Sequence, residues 1–205
     1  MPDAIAQTWE AAAAVLDAAP ICHVAFVEAG LPRVLPVLHA RVGATLYLHG
    51  SPASSVIRAA TSGTPLSISA VVLDGVVVAH CACESGLIYR SVLCSGMGRE
   101  LHDPAEVEQA LRAITERVTP GGWERGRLPQ PDEIAATTVA AVAIGGFSMR
   151  ARSGPSREDE ADRNLSGWTG IVPLYLAAGP AVPDAGVPPA APAPPVLPEC
   201  ARPGR

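Results

Sequence analysis

The chain has 205 residues, a length that suits one domain better than two. Its 20 acidic and 15 basic side chains give a net charge of -5, and without a basic run this argues against nucleic-acid binding. Every basic residue is arginine, which excludes a lysine-dependent phosphate loop, a Schiff base and a catalytic lysine. The lengths of the apolar stretches exclude a membrane helix. With no basic leader and an odd count of 5 cysteines, we expect a cytoplasmic protein.

The first predicted elements are one helix and three short strands. Thr8 is expected to cap a helix that runs to about residue 19, where Pro20 ends it. Three strand candidates with tight connections follow, at residues 21–27, 33–42 and 45–49. Pro36 must then lie at a sheet edge or a bulge. Such a meander is typical of antiparallel sheets and barrels.

The middle of the chain continues this pattern. Ser51, with Pro52 in the first turn, is expected to cap a short helix that Gly63 closes. Asp74-Gly75 predicts a hairpin turn between strands at residues 66–73 and 76–83, and a further strand at 87–94 continues past Gly96 and Gly98.

The last third contains two helices and one long strand before the composition changes. Asp103-Pro104 starts a helix reaching about Val118. The other elements are a helix at 132–136, a strand at 138–149, a charged loop at 151–163 and a structured segment at 168–176. Residues 179–205 are rich in Pro and Ala, so we expect one domain over 1–178 and a disordered or polyproline-like tail.

Residues 48–55 are the most chemically suggestive stretch, because a strand runs directly into a helix start with three hydroxyls. Free N–H groups and serine oxygens there form a phosphate cradle, and Arg58 adds positive charge. An ordinary Ser-Pro cap explains the same pattern equally well. Arg90 interrupts an apolar strand, and its partner is a ligand phosphate, an acidic side chain or solvent.

The remaining polar residues favour structural roles. Cys81 and Cys83 lie two apart on a predicted strand and so share a face; without a second cysteine pair, core thiols are favoured over zinc ligands. His39 and His49 on neighbouring strands are more often structural imidazoles than catalysts.

The order and spacing of several motifs resemble the FMN-binding split-barrel proteins. This is the pyridoxamine 5'-phosphate oxidase-like group, with the branch that includes 5-nitroimidazole-resistance reductases. The motifs are Leu46-Tyr47-Leu48-His49-Gly50-Ser51, Leu73-Asp74-Gly75-Val76-Val77, Tyr89-Arg90-Ser91-Val92 and Trp168-Thr169-Gly170-Ile171-Val172-Pro173-Leu174.

The resemblance implies a mainly β fold with flanking helices, a six-stranded antiparallel split barrel that dimerises with FMN between the subunits. It places the flavin phosphate and ribityl chain among His49, Gly50, Ser51, Ser54 and Ser55, with Tyr89 and Arg90 nearby. The isoalloxazine edge would lie along the backbone of Pro36, Val37 and Leu38.

This chain also departs from the family pattern. Where relatives carry paired imidazoles ahead of Tyr89, it has Glu84 and Ser85, so Glu84 is the hypothetical proton-handling residue, with an exposed loop glutamate as the plainer reading. An Arg-Leu-x-Pro end is missing, which argues against pyridoxal phosphate synthesis. We therefore expect an FMN-dependent oxidoreductase for a small organic molecule, in secondary metabolism or detoxification. The alternative is a non-catalytic flavin- or haem-binding carrier or sensor, and deazaflavin remains open as the cofactor.

Overall fold

The computed structural model describes residues 8–156, 159–188 and 190–196. The α-helices are α1 (Trp9–Ala18), α2 (Ser55–Thr61), α3 (Pro104–Val118), α4 (Gly122–Arg125) and α5 (Pro131–Ala135). The strands are β1 (Ile21–Glu28), β2 (Leu31–Leu38), β3 (Ala40–Val42), β4 (Thr45–Gly50), β5 (Ser62–Val78), β6 (Gly86–Glu100), β7 (Thr138–Arg152) and β8 (Gly170–Pro173). Among the described helices, none is both long and apolar enough to span a membrane.

The strands form one antiparallel sheet in the order β2-β1-β5-β6-β7-β4-β3, with β8 on β5. The predicted class, mainly antiparallel β with flanking helices, is confirmed, but the predicted six-stranded barrel is wrong, because the described chain has eight strands in an open sheet. The predicted strand at residues 33–42 divides at His39 into β2 and β3, which pair with different strands. His39 is fully buried, and its Nε2 lies 2.9 Å from the carbonyl oxygen of Leu16.

The hairpin predicted at Asp74-Gly75 is also wrong. Strand β5 continues through these residues with a register shift between Leu73 and Gly75, and the turn to β6 lies at residues 79–85. A Cβ on Gly75 would lie 3.0 Å from the carbonyl oxygen of Val172, so glycine permits the close approach of β8. Instead of a turn, the local sequence therefore forms a bulge within β5, and β8 pairs with β5 at that point.

Two predicted helix starts are confirmed. The Thr8 hydroxyl accepts a hydrogen bond from the backbone N–H of Ala11, and Asp103 accepts from Ala105 and Glu106. Helix α1 buries Ala12, Val15 and Leu16 against the sheet. Helix α3 covers a second cluster on the other side of β4 and β7, formed by Leu101, Ala110, Val139 and Ala141 with Tyr47, Val107 and Leu111 against it.

The helix predicted to have Ser51 as its N-cap begins three residues later. Its N-cap is Ser54, while Ser51 closes a turn before the helix. The Ser51 hydroxyl accepts from the Ala53 N–H at 3.2 Å, and its carbonyl accepts from the Ser54 N–H at 2.9 Å. Helix α2 is therefore only seven residues long.

Candidate flavin site

His49 lies at the end of β4, where the side chains alternate between two faces. Leu46 and Leu48 are buried in the main core, so His49 faces the opposite side with Tyr47. Its Nδ1 is buried and has no hydrogen-bond partner among the described residues. Burial lowers the pKa of His49, so the imidazole is neutral near pH 7. A buried polar atom of this kind costs free energy unless a ligand or water satisfies it.

The segment after His49 adds further hydrogen-bonding groups. The Ser54 side chain makes no capping hydrogen bond, and the first N–H groups of α2 have no acceptor inside the helix. A Cβ on Gly50 would lie 3.1 Å from Cγ1 of Ile57, so this connection is tight. His49 and Gly50 end β4, Ser51 and Ser54 lie in the connection, and Ser55 begins α2, so the five residues are neighbours along the chain.

Arg58 is the nearest cation to this segment along the chain. Its guanidinium donates to the carbonyl oxygen of Ala53 and to a carboxylate oxygen of Glu28, the latter at 3.0 Å. The side chain is 55% exposed. Arg58 therefore ties the turn before α2 to the end of β1.

Pro36, Val37 and Leu38 occupy β2, a terminal strand of the sheet. They pair with β1 on one side, and the other edge of the backbone has no neighbouring strand within the described residues. Strand β2 also contacts β4, which carries His49. One row of backbone N–H and C=O groups on β2 is accordingly open to a ligand.

The structure does not bring Arg90 to the cradle within one chain. Arg90 donates two hydrogen bonds of 2.8 Å to the Asp74 carboxylate, a bidentate ion pair. On β7, Arg90 lies opposite Ala151 and His49 opposite Val139. These positions are twelve residues apart, about 40 Å along a straight strand. The sequence left a ligand phosphate, an acidic side chain or solvent as the partner of Arg90, and the structure shows an acidic side chain.

A cavity of about 450 Å³ lies beside this ion pair. Its lining is mostly apolar and comes from the end of α1, the bulged part of β5, Arg90 and the segment after β8: Ala18, Pro20, Val71, Val72, Leu73, Asp74, Arg90, Leu174, Tyr175 and Leu176. Leu38 pairs with Ile21, the residue after Pro20, so the cavity is close to the end of β2.

Asp74 and the residues after β8 were not predicted as site residues. The only sequence feature pointing to Asp74 is an acidic residue between two apolar runs. The hairpin interpretation concealed it, because a turn aspartate needs no ion-pair partner.

Tyr89 and Glu84 lie elsewhere. Tyr89 pairs with Leu73 and Arg152, and successive strand residues face opposite sides, so it does not share the face of Arg90. Glu84 lies in the 79–85 turn, where its carbonyl oxygen accepts from Arg152 at 3.0 Å. The turn with Glu84 lies directly before the first residue of β6. His49 pairs with Val139 of β7, whose neighbour Ala140 pairs with Glu100, the last residue of β6. Glu84 and His49 therefore lie at opposite ends of β6 within one chain.

These features match a known class of nucleotide-binding proteins. The family model described as pyridoxamine 5'-phosphate oxidase matches residues 8–151, and the chain belongs to this family, as its motifs predicted. No curated protein matches the sequence.

Two solved structures are similar over nearly the whole chain. The flavocytochrome Anf3 from Azotobacter vinelandii is 33% identical, with a TM-score of 0.81, covering 92% of this chain and 88% of its own. The FAD and heme binding protein from Mycobacterium smegmatis is 35% identical, with a TM-score of 0.85 and 93% coverage of both chains.

A third structure shares the fold alone. It is a putative 5-nitroimidazole antibiotic resistance protein from Bacteroides thetaiotaomicron, 18% identical, with a TM-score of 0.57. It covers 71% of this chain and 85% of its own.

Proposed function

We propose that the protein is a flavin-dependent oxidoreductase acting on a small organic molecule. The observation that carries this proposal is the buried Nδ1 of His49, which has no hydrogen-bond partner among the described residues, in a chain that belongs to the pyridoxamine 5'-phosphate oxidase family. A bound flavin supplies the electron transfer. FMN is the proposed form, and FAD, named in the Mycobacterium smegmatis relative, is the competing one.

In this proposal the chain binds and orients the cofactor at two places. His49, the serine hydroxyls and the N–H groups at the start of α2 donate to the phosphate and ribityl oxygens. The open backbone edge of Pro36, Val37 and Leu38 hydrogen-bonds the ring. Arg58 offsets the phosphate charge, although Glu28 shares its guanidinium.

The cavity beside Arg90 is the proposed substrate site. Its mostly apolar walls suit an apolar part of the substrate, while the Asp74–Arg90 pair offers hydrogen-bonding groups to a polar part. Glu84 remains the proposed residue for holding or moving a proton, supported by its place where relatives carry an imidazole. Its half-buried position in the turn gives its carboxylate partial access to solvent.

A homodimer is part of the proposal, with Tyr89 and Arg90 of one copy approaching a cofactor whose phosphate lies in the cradle of the other. Support comes from exposed apolar side chains on the sheet: Val71, Leu73, Leu93 and Met97 are 45%, 46%, 51% and 60% exposed. The proposed partners include neither nucleic acid nor membrane, and the proposed location is the cytoplasm, supported by the free thiols of the described cysteines.

The first test is the cofactor itself. We expect the purified protein to show flavin absorption, and mass spectrometry of the released cofactor to distinguish FMN from FAD. His49→Ala should raise the flavin dissociation constant about tenfold, because one hydrogen bond to a charged group is lost. Exposed His102 provides the matched control, His102→Ala. Equal flavin dissociation constants for wild type and His49→Ala would contradict the assignment of His49 as a flavin-binding residue.

A non-catalytic flavin- and haem-binding carrier is the second candidate, because both similar structures are named for haem or cytochrome. An imidazole is a common axial ligand of haem iron. His102 lines an apolar cavity with Leu111 and Trp123, and its exposed imidazole is the ligand that this candidate function proposes.

Spectra distinguish the two candidates. Haem binding predicts a Soret band after reconstitution with hemin, lost in His102→Ala and retained in His23→Ala. Anaerobic reduction by NADH or NADPH, then reoxidation by candidate acceptors, separates an enzyme from a carrier; reduced flavin that no acceptor reoxidises favours the carrier.

A further inference from the structure

The turn between β5 and β6 holds two thiols in contact. The sequence placed Cys81 and Cys83 on a strand in the core, but both lie in the 79–85 turn, with Cys81 half-buried and Cys83 exposed. Their Sγ atoms are 2.7 Å apart, and neither forms a disulfide. The core-thiol interpretation is therefore wrong for this pair.

The other described cysteines differ in environment. Cys22 and Cys94 are buried in the main core. Burial raises the pKa of Cys22 to about 12 and that of Cys94 to about 11. Since the thiolate is the reactive form, these two thiols are unreactive near neutral pH.

The backbone around the pair is held in place. The Glu84 N–H donates to the carbonyl oxygen of Cys81 at 3.1 Å, and the Ala79 N–H donates to the Ser85 hydroxyl at 3.1 Å. Arg152 of β7 donates to the Glu84 carbonyl oxygen. The two sulfur atoms are thus kept together by the turn, and a short movement brings them to the bonding distance of about 2.05 Å.

We propose that Cys81 and Cys83 form a redox-active dithiol that exchanges with low-molecular-weight disulfides of the glutathione class. This second activity is independent of the flavin. Exposed disulfides exchange more readily than buried structural ones, which suits a reversible site.

The exchange with the external disulfide proceeds in two steps. The thiolate of exposed Cys83 attacks one sulfur of the external disulfide, its S–S bond breaks, and one small thiolate leaves and takes up a proton. Cys81, after losing its proton to solvent, then attacks Cys83 Sγ and releases the second small thiol. Overall, the two protein thiols are oxidised to one disulfide, and the external disulfide is reduced to two thiols.

Contact with Cys81 sets the conditions for the test. A hydrogen bond that the Cys83 thiol donates to the sulfur of Cys81 stabilises the protonated form of Cys83, so the pKa of Cys83 is raised and its thiolate fraction at neutral pH is lowered. Exchange is therefore measured in mildly alkaline buffer. Cys200 lies outside the described residues and is removed by Cys200→Ser, so that Cys81 and Cys83 are the reactive thiols under study.

The test treats the full-length Cys200→Ser protein with oxidised glutathione and reads intact mass and peptide maps. We expect the loss of two hydrogen atoms and a Cys81–Cys83 disulfide. Adding Cys81→Ser or Cys83→Ser should instead trap one glutathione on the remaining thiol, with about tenfold more adduct than the parent, because intramolecular closure is removed. Cys22 and Cys94 should stay unmodified throughout.

Two glutathione adducts on the parent, a disulfide to another cysteine, or no reaction at all would each overturn the proposal. The readout is thiol mass and does not depend on flavin content. A protein that binds no flavin yet forms the Cys81–Cys83 disulfide would contradict the proposed function and leave this inference standing.

Discussion

Single polar residues in this molecule are best judged by whether a partner is already present. Arg90 has its carboxylate partner in Asp74, with two hydrogen bonds, whereas His49 has a buried nitrogen without one. A buried polar atom without a partner costs free energy unless a ligand or water satisfies it. His49 is therefore the stronger indication of ligand binding, and Arg90 primarily stabilises the join between β5 and β6.

The Asp74–Arg90 pair leads to a stability prediction. A double-mutant cycle with Asp74→Ala and Arg90→Ala should give a coupling of about 1 kcal/mol in the free energy of unfolding, since the pair is bidentate but 26% and 40% exposed. Urea denaturation measures it. The more exposed Arg99–Glu106 pair is the control and should couple less. Coupling of the same size in both pairs would contradict a special role for Asp74–Arg90.

The sequence left three partners open for Arg90, namely a ligand phosphate, an acidic side chain and solvent, and did not point to Asp74. Asp74 lies sixteen positions away, and their contact depends on the bulge at Asp74 and the register of β5 with β6. Non-local register follows from the whole sheet, so local patterns do not predict it. The proposed cradle, by contrast, rests on contiguous residues, so its placement in the chain needs no knowledge of register.

At the level of elements, α2 is positioned by close backbone contact with β6. A Cβ on Gly98 would lie 2.0 Å from the carbonyl oxygen of Ala60, and backbone at that distance must shift. Gly98→Ala should therefore destabilise the fold by about 3 kcal/mol and weaken flavin binding by displacing α2. Gly145→Ala on β7 is the control, because its Cβ would make only an ordinary contact at 3.9 Å. Equal melting temperatures for the two variants would refute this packing argument.

Helix α5 contains a pH-dependent contribution to stability. The Arg127 side chain, helped by the Gln130 N–H, lowers the pKa of Glu133 from 4.5 to about 2. Because the pKa of Glu133 is lower in the folded state, its carboxylate stabilises the folded state above pH 4.5. This stabilisation is lost as the pH falls through about 2. Glu133→Gln should thus lower the melting temperature at neutral pH by a small amount that shrinks with acidification. A difference independent of pH would show that charge is not its cause.

Elements with local signals were predicted well, and those that depend on tertiary contacts were not. Asp103-Pro104 gives a cap and a first turn in adjacent residues, so α3 was predicted at its observed start. Asp74-Gly75 is equally compatible with a turn and a bulge, and pairing with β6 and β8 selects the bulge. Ser51 resembles an N-cap, but its hydrogen bonds form a separate turn, which moved the start of α2 to Ser55.

For the whole molecule, the long strands β5, β6 and β7 form the frame that separates the two proposed binding regions. The cradle adjoins the start of β7, and the Arg90 cavity adjoins its end. Only a cofactor shared between two copies brings both regions to one flavin in the way the family pattern implies. The sequence predicted the family, but the separation of His49 from Arg90 appears only in the assembled sheet.

The C-terminal part of the chain contributes unequally to this architecture. Strand β8 pairs with β5 beside Val77, which is fully buried. The residues directly after β8, Leu174, Tyr175 and Leu176, line the Arg90 cavity. By contrast, the described residues after Gly179 are all exposed. A chain ending at residue 179 should keep the melting temperature and flavin content of the full chain. Ending it at residue 169 removes β8, exposes Val77 and opens the cavity, so the melting temperature should fall by several degrees. Calorimetry of both truncations measures this, and a loss of stability on removing only residues 180–205 would show that the tail packs against the domain.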